Sequence, residues 1–234
     1  MTPRICALLL AVLAPLAACA SQVDSSYQGD ALAKISGSVR NTRTLPLDKG
    51  AEVVVVWMNS SGTPDLTGVD SVEVQGSFPA QFALSIYEPP ATPLLNDWYG
   101  VKVGVALVIA GVPGTDWSDR TQAKAGTLGA EVDHMLIYVP DGVPAGSAAS
   151  IVLRGTPGPG FHLYGIHKLT DAERMARRDC VDGLDPNAPL EVIYSQCGGS
   201  ASFDDFVPLS TDLSTPLTID LVDDPSTIDY PNWT

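Results

Sequence analysis

The sequence predicts an all-β protein: a mainly antiparallel β-sandwich with one short helix near residues 170–179. Three observations support this fold class. Apolar residues alternate with polar ones in many short segments, which is the period of a strand with one buried face. Turns rich in glycine and proline separate these segments. A single segment, at residue 170, carries the signature of a helix start.

The first eighteen residues have the pattern of an export signal. One basic residue, Arg4, precedes an apolar run over residues 5–16. A helix of that length reaches only about 18 Å, whereas a bilayer core is about 30 Å thick. A charged start, a short apolar run and small residues are typical of a secretory signal peptide. We therefore expect residues 1–18 to be removed.

The segment Leu16-Ala17-Ala18-Cys19 resembles the lipobox of bacterial lipoproteins. The resemblance implies that Cys19 carries diacylglycerol on a thioether and becomes the mature N-terminus. An ordinary signal peptide with an incidental cysteine is the alternative. Ala20, where many Gram-negative lipoproteins retained in the inner membrane have aspartate, implies the outer membrane. The chain is thus expected to be lipid-anchored in the cell envelope, on the periplasmic face or the cell surface.

A small, polar stretch over residues 19–30 is expected to be a flexible tether, and residues 31–234 are expected to form the β-sandwich domain. The strongest strand signals are a continuous apolar run over residues 53–58, typical of a strand buried on both faces, and a period-two pattern over residues 101–109. Further strands are predicted at residues 35–39, 82–86, 132–139, 150–153, 161–168, 190–194 and 218–222. A division into two sub-sandwiches near residues 115–130 is the alternative to one domain.

One helix is predicted after Thr170. Thr170 and Glu173 fit a capping box, in which each side chain bonds the backbone N–H of the other residue. Ala172, Met175 and Ala176 favour helix formation. We expect this helix to end near Cys180.

The cysteines predict one structural disulfide. Cys6 is expected to leave with the leader, and the lipobox resemblance implies that Cys19 takes lipid, so Cys180 and Cys197 remain. Two cysteines in an exported domain usually pair. Metal or redox chemistry is the alternative, and the lack of CxxC spacing and of cysteine–histidine clusters disfavours it.

Residues 33–89 resemble transthyretin-like and carboxypeptidase-regulatory-like β-sandwich modules. The resemblance rests on Ile35-Ser36-Gly37-Ser38-Val39, Gly50-Ala51-Glu52-Val53, Gly76-Ser77-Phe78 and Phe82-Ala83-Leu84-Ser85-Ile86. Pro79-Ala80-Gln81 interrupts the last element of the family pattern. The resemblance implies a sandwich and no catalytic residue.

The charge and the motifs exclude several functions. A formal net charge of −14 repels nucleic acid and anionic headgroups, so a nucleic-acid partner is not expected. The chain contains none of the serine-hydrolase, zinc-protease, Walker A or dinucleotide motifs. No catalytic residue and no cofactor can therefore be assigned.

The remaining candidate residues have structural interpretations that we favour. His162 and His167 are five apart on one predicted strand and should face opposite sides, and His134 lies in an apolar strand. The acidic loop at residues 182–187 offers oxygen ligands but fails the calcium-loop spacing. Trp98-Tyr99, Trp117 and Trp233 suggest glycan stacking, yet the first two sites flank opposite ends of a strand. Lys168, Arg174 and Arg178 form a basic cluster that should pair with nearby acidic side chains.

These observations lead to two functional hypotheses. The first is a lipid-anchored envelope protein that acts as a binding or scaffolding module for an envelope protein or a glycan. The second is an envelope hydrolase or glycan-active enzyme without a recognisable motif.

Overall fold

The computed structural model describes residues 29–44, 47, 50–58, 64–65, 70–199 and 206–230. The fold is a β-sandwich of a small and a large sheet, which confirms the predicted fold class. Residues 1–18, where a leader is predicted, Cys19, most of the predicted tether and Trp233 lie outside the described residues.

The small sheet has three strands in the order β12-β1-β5, and the large sheet contains the other nine. The strands are β1 (Ala33–Asn41), β2 (Ala51–Met58), β3 (Pro64–Asp65), β4 (Ser71–Val74), β5 (Ala80–Ile86), β6 (Leu95–Trp98), β7 (Val101–Gly111), β8 (Thr127–Ala130), β9 (His134–Val139), β10 (Gly160–Lys168), β11 (Phe206–Thr211) and β12 (Leu217–Leu221).

The large sheet is built around β7, and its main path is β11-β10-β9-β7-β2-β3. On one side of β7 lie β6 and β2, and on the other lie β9 and β8. All pairings in this sheet are antiparallel. In the small sheet β1 is antiparallel to β5 and parallel to β12, so the first and last strands are neighbours.

The main core fills the space between the two sheets. It contains Ile35 of β1, Leu84 of β5 and Ile219 of β12, opposite Val55 of β2 and Ala106 of β7. Two smaller clusters cover the opposite face of the large sheet. The large sheet is therefore buried on both faces along β2 and β7.

The two strongest strand predictions are confirmed. All six side chains over residues 53–58 are buried, as expected for a strand covered on both faces. In β7 two faces are separated: Ala106, Val108 and Ala110 face the main core, and the two smaller clusters contain Val103, Val105, Leu107 and Ile109.

Four α-helices occur among the described residues, where we predicted one. They are α1 (Arg120–Gly126), α2 (Ala148–Val152), α3 (Asp171–Asp182) and α4 (Leu190–Cys197). The strands predicted at residues 150–153 and 190–194 are wrong, because these segments lie in α2 and α4. Short apolar runs fit a half-buried helix as well as a strand.

The predicted helix is α3, and its capping box is present. The Thr170 side chain accepts from the Glu173 N–H, and the Glu173 side chain accepts from the Thr170 N–H. The helix continues two residues beyond the predicted end at Cys180. No described helix is both long and apolar enough to cross a membrane.

Residues 33–89 supply strands to both sheets. β1 and β5 belong to the small sheet, and β2, β3 and β4 belong to the large one. The transthyretin-like resemblance itself stays a prediction. The stretch at 115–130, where a division of the domain was considered, contains α1 and β8, and β8 pairs with β7.

Candidate functional site

Two of the three histidines lie on one face of the large sheet. His134 starts β9 and is directly opposite Gly165 of β10. His167 follows Gly165 by two positions, so the two histidines are diagonal neighbours on the same face. His162 lies on the opposite face, as predicted, and its Nε2 is 2.7 Å from the Gly158 carbonyl oxygen.

A buried carboxylate holds His134. Glu131 follows β8 and is only 2 % exposed. Its Oε1 accepts the Asp133 N–H at 2.9 Å and lies 3.1 Å from Nδ1 of His134. Its Oε2 accepts the N–H of Thr218 in β12 at 2.9 Å. One carboxylate thus joins the large sheet to the small sheet and fixes the imidazole ring.

The hydrogen bond to Glu131 raises the pKa of His134. Partial burial opposes this change because it disfavours the charged imidazolium, and the charges of Glu131 and Asp133 add to the increase. The raised pKa means that the carboxylate favours the protonated histidine, which can donate from both ring nitrogens.

His167 also has a carboxylate partner. Its Nε2 is 3.7 Å from Oε1 of Glu173, and the His167 side chain is 54 % exposed. Glu173 is held by the capping box of α3. Hydrogen bonds from the backbone N–H and the hydroxyl of Thr170 lower the pKa of Glu173, and His167 lowers it further. The helix cap therefore places a negative charge beside the second imidazole.

The surface around these histidines is partly open, because the His167 side chain is exposed and that of His134 is 22 % exposed. We call the residues His134, Gly165, His167 and Leu209 the histidine face; Leu209 is opposite Gly165 in register and 47 % exposed. A Cβ added at Gly165 would have only Thr211 Oγ1 within 3.5 Å, at 3.2 Å. Because Gly165 has no side chain, the surface of the sheet has a depression between the two histidines.

The histidine face is better suited to binding than to nucleophilic catalysis. The Thr211 hydroxyl, on the same face, donates to the Leu209 carbonyl at 3.0 Å and accepts the Gly165 N–H at 3.1 Å. Because both bonds occupy this hydroxyl, it is not available to His134 as a nucleophile. Two imidazoles with carboxylate partners can instead donate hydrogen bonds or offer ring nitrogens to a ligand.

The predicted disulfide is present. Cys180 of α3 and Cys197 of α4 are bonded, with their Cα atoms 5.6 Å apart. The bond therefore joins two helices, of which the sequence predicted only the first.

The tryptophans do not form a shared platform among the described residues. Trp117 is 5 % exposed, and its Nε1 donates to Glu52 Oε2 at 3.3 Å. Trp98 packs at the other end of β7 against the cluster under α2. The exposed member is Tyr99, 47 % accessible at the tip of the β6–β7 hairpin.

The basic and acidic candidates have local partners. Lys168 Nζ is 2.9 Å from Asp229 Oδ2, and Arg174 pairs with Asp171. In the acidic loop, Asp185 Oδ1 accepts the Asn187 N–H at 2.8 Å. Within the described ranges, no group of three or more histidine, cysteine, aspartate and glutamate side chains is arranged to hold a metal ion.

Sequence reasoning missed three buried polar side chains. They are Glu131, Arg177 and Asn96. Arg177 is 7 % exposed and its guanidinium lies next to Gly199, and Asn96 is 8 % exposed. Asn96 Nδ2 donates to the Met58 carbonyl at 3.2 Å, and its Oδ1 has no hydrogen-bond partner. The one available signal was Glu131, a charged residue between Ala130 and Val132.

Residue by residue, the structure thus places His134 and His167 at diagonal positions on one face of the large sheet and His162 on the opposite face. The disulfide and the tryptophans belong to other elements. Comparison of the chain with protein-family models, with curated proteins and with solved structures found no match.

Proposed function

We propose that this chain is a lipid-anchored cell-envelope protein whose β-sandwich is a binding or scaffolding module. The observation that carries the proposal is the Cys180–Cys197 bond, because structural disulfides persist in oxidising compartments outside the cytoplasm. The lipobox-like segment ending at Cys19 is consistent with the same location.

The lipid on Cys19 would hold the domain close to a membrane. Two or more acyl chains give stable anchoring, whereas one chain gives only marginal binding. The Ala20 position supports the outer membrane as the site. The histidine face is the surface that supports binding best, since it presents two imidazoles beside the exposed Leu209, and the Glu131 carboxylate holds the ring of His134.

Mass spectrometry of the mature N-terminus tests the anchor. We expect a diacylglyceryl-modified Cys19 as the first residue, and an uncleaved precursor after treatment with globomycin. An unmodified thiol at Cys19, or cleavage at another bond, would refute the anchor. A Cys19→Ser variant should remain unprocessed, whereas Cys6→Ser, which changes the leader only, should be processed normally.

Co-purification of the native protein from envelope fractions tests the binding module. We expect an envelope protein or a glycan that is retained by the wild type and lost in His167→Ala, while His162→Ala on the opposite face retains it. Equal retention of the ligand by both variants would show that the ligand binds outside the histidine face.

The Glu131–His134 pair favours one second candidate, an envelope hydrolase that uses His134 as a general base toward water. A buried carboxylate that orients an imidazole is the arrangement general bases use. Hydrolysis of ester and glycoside substrates by the purified protein, lost in His134→Gln, would support it. Equal rates for the wild type and His134→Gln would exclude it.

A further inference from the structure

We propose that the histidine face binds one divalent transition-metal ion of the kind that prefers imidazole, such as Cu²⁺ or Zn²⁺, between His134 and His167. This site is independent of the lipid anchor. It needs only two protein ligands, with water completing the coordination shell, so it differs from a closed site of three or four side chains.

The sheet register supplies the first argument. His134 is opposite Gly165, and His167 is two residues along the same strand. Diagonal neighbours of this kind have Cα atoms roughly 7–8 Å apart, with their side chains on one face. Two imidazoles on such positions can direct ring nitrogens to a common point.

The carboxylates supply the second argument. Histidines that bind metals usually have one ring nitrogen on a carboxylate or carbonyl, which fixes the tautomer and makes the other nitrogen a better ligand. His134 has Nδ1 on Glu131 at 3.1 Å, which leaves Nε2 for the metal. His167 Nε2 is 3.7 Å from Glu173 Oε1, which is an ion-pair distance too long for a hydrogen bond, so this carboxylate contributes charge and does not fix the ring.

The space between the histidines supplies the third argument. Gly165 lies between them on β10 and adds no side chain, and the position of its missing Cβ has one neighbour within 3.5 Å. The His167 side chain is 54 % exposed and that of His134 is 22 % exposed, so solvent reaches both rings. An ion and its water ligands can therefore approach from solvent.

The charge of the site suits a cation. Glu131 is buried below His134, Glu173 lies beside His167, and Asp133 precedes His134 on the chain. A divalent ion is attracted by these carboxylates, and imidazole nitrogens select copper and zinc over calcium and magnesium, which prefer oxygen.

Titration of the untagged protein with Cu²⁺, followed by electron paramagnetic resonance, tests the site. We expect one equivalent bound with superhyperfine coupling to two nitrogens. Affinity should fall at least tenfold in His134→Gln and in His167→Gln. His162→Gln is the matched control, because it removes a histidine from the opposite face, and it should bind as the wild type does.

Competition with Zn²⁺ provides the second measurement. Zn²⁺ should displace Cu²⁺ only when it is present in large excess, because imidazole sites bind Cu²⁺ more tightly than Zn²⁺. His167 is exposed, so His167→Gln should fold normally, which the thermal transition of the variant checks. Retained Cu²⁺ affinity in folded His167→Gln, or coupling to a single nitrogen, would overturn the proposal.

Discussion

Glu131 shows how one side chain determines both structure and chemistry at a site. It is charged and almost fully buried, which is costly unless every lone pair has a partner. Two backbone N–H groups and one imidazole provide these partners. The same bonds close the sandwich at β12 and orient His134, so the geometry of the histidine face depends on a residue that does not belong to it.

The raised pKa of His134 predicts a pH-dependent contribution to stability. Because the folded pKa exceeds the unfolded value of about 6.5, the contribution is complete below that value and is lost as the pH rises through the folded pKa. His134→Gln should therefore lower the free energy of unfolding more at pH 6 than at pH 9. Urea unfolding at the two pH values measures this difference.

The Glu131→Gln background is the control for this prediction. Without the carboxylate, the effect of His134→Gln on the free energy of unfolding should become nearly the same at both pH values. A pH-independent effect of His134→Gln in the wild-type background would contradict the assignment of Glu131 as the cause.

Gly129 in β8 is predicted to tolerate no side chain. A Cβ there would lie 2.2 Å from the Asp220 carbonyl oxygen of β12, so Gly129→Ala must push the sheets apart. We expect a loss of about 1–3 kcal/mol in the free energy of unfolding. Gly158→Ala is the control, because nothing lies within 4 Å of its Cβ position. Thermal unfolding of the two variants gives the comparison, and equal transitions would contradict the close approach.

At the scale of the element, the sequence predicted strands well where period and length agreed. Residues 101–109 of β7 follow a period of two, and residues 53–58 of β2 are an unbroken apolar run, so each pattern predicted a strand. The segments at 150–153 and 190–194 are too short to show a period, and their helical state depends on contacts that β-propensity does not describe. The capping box of α3 was predictable because both of its residues lie within one turn.

The candidate site was less predictable for a related reason. Each histidine was visible in the sequence, but their proximity depends on the pairing of β9 with β10. Register is set by long-range packing and by the turn that connects the strands. The position of Gly165 between the two histidines follows from that register alone, so no local pattern could indicate it.

The α3–α4 pair is predicted to depend on its disulfide. The only buried side chain in α3 is that of Arg177, and α4 has no buried side chain among those described, so little apolar area holds the helices together. The chain-entropy model gives about 3 kcal/mol for closing this loop. In Cys180→Ala/Cys197→Ala, amide exchange in α4 should accelerate by roughly a hundredfold.

Hydrogen exchange in β7 is the internal control for that experiment. β7 contributes to every core cluster and should exchange at the wild-type rate in the double variant. Equal acceleration in α4 and β7 would mean that the disulfide stabilises the whole domain rather than the helix pair.

At the scale of the whole molecule, we predict a single cooperative unfolding transition. The main core joins residues from Ala33 to Leu221, and β7 lies between this core and the clusters under the helices. Unfolding of the small sheet would expose one face of β7, and unfolding of the helices would expose the other face. We therefore expect the small sheet, the large sheet and the helices to unfold together. Calorimetry should give equal calorimetric and van 't Hoff enthalpies. Two sub-sandwiches divided near residues 115–130 would instead give two transitions.

Two core variants make this prediction sharper. Ile35→Ala opens a cavity under the small sheet, and Leu153→Ala opens one under α2; both side chains are fully buried. Each should cost about 2–5 kcal/mol, and each kcal/mol should lower Tm by about 2–4 °C in a domain of this size. If the domain is one cooperative unit, both variants shift the same transition and no second one separates. If each variant shifts only part of the calorimetric peak to lower temperature, the main core and the clusters under the helices unfold independently, and β7 does not couple them.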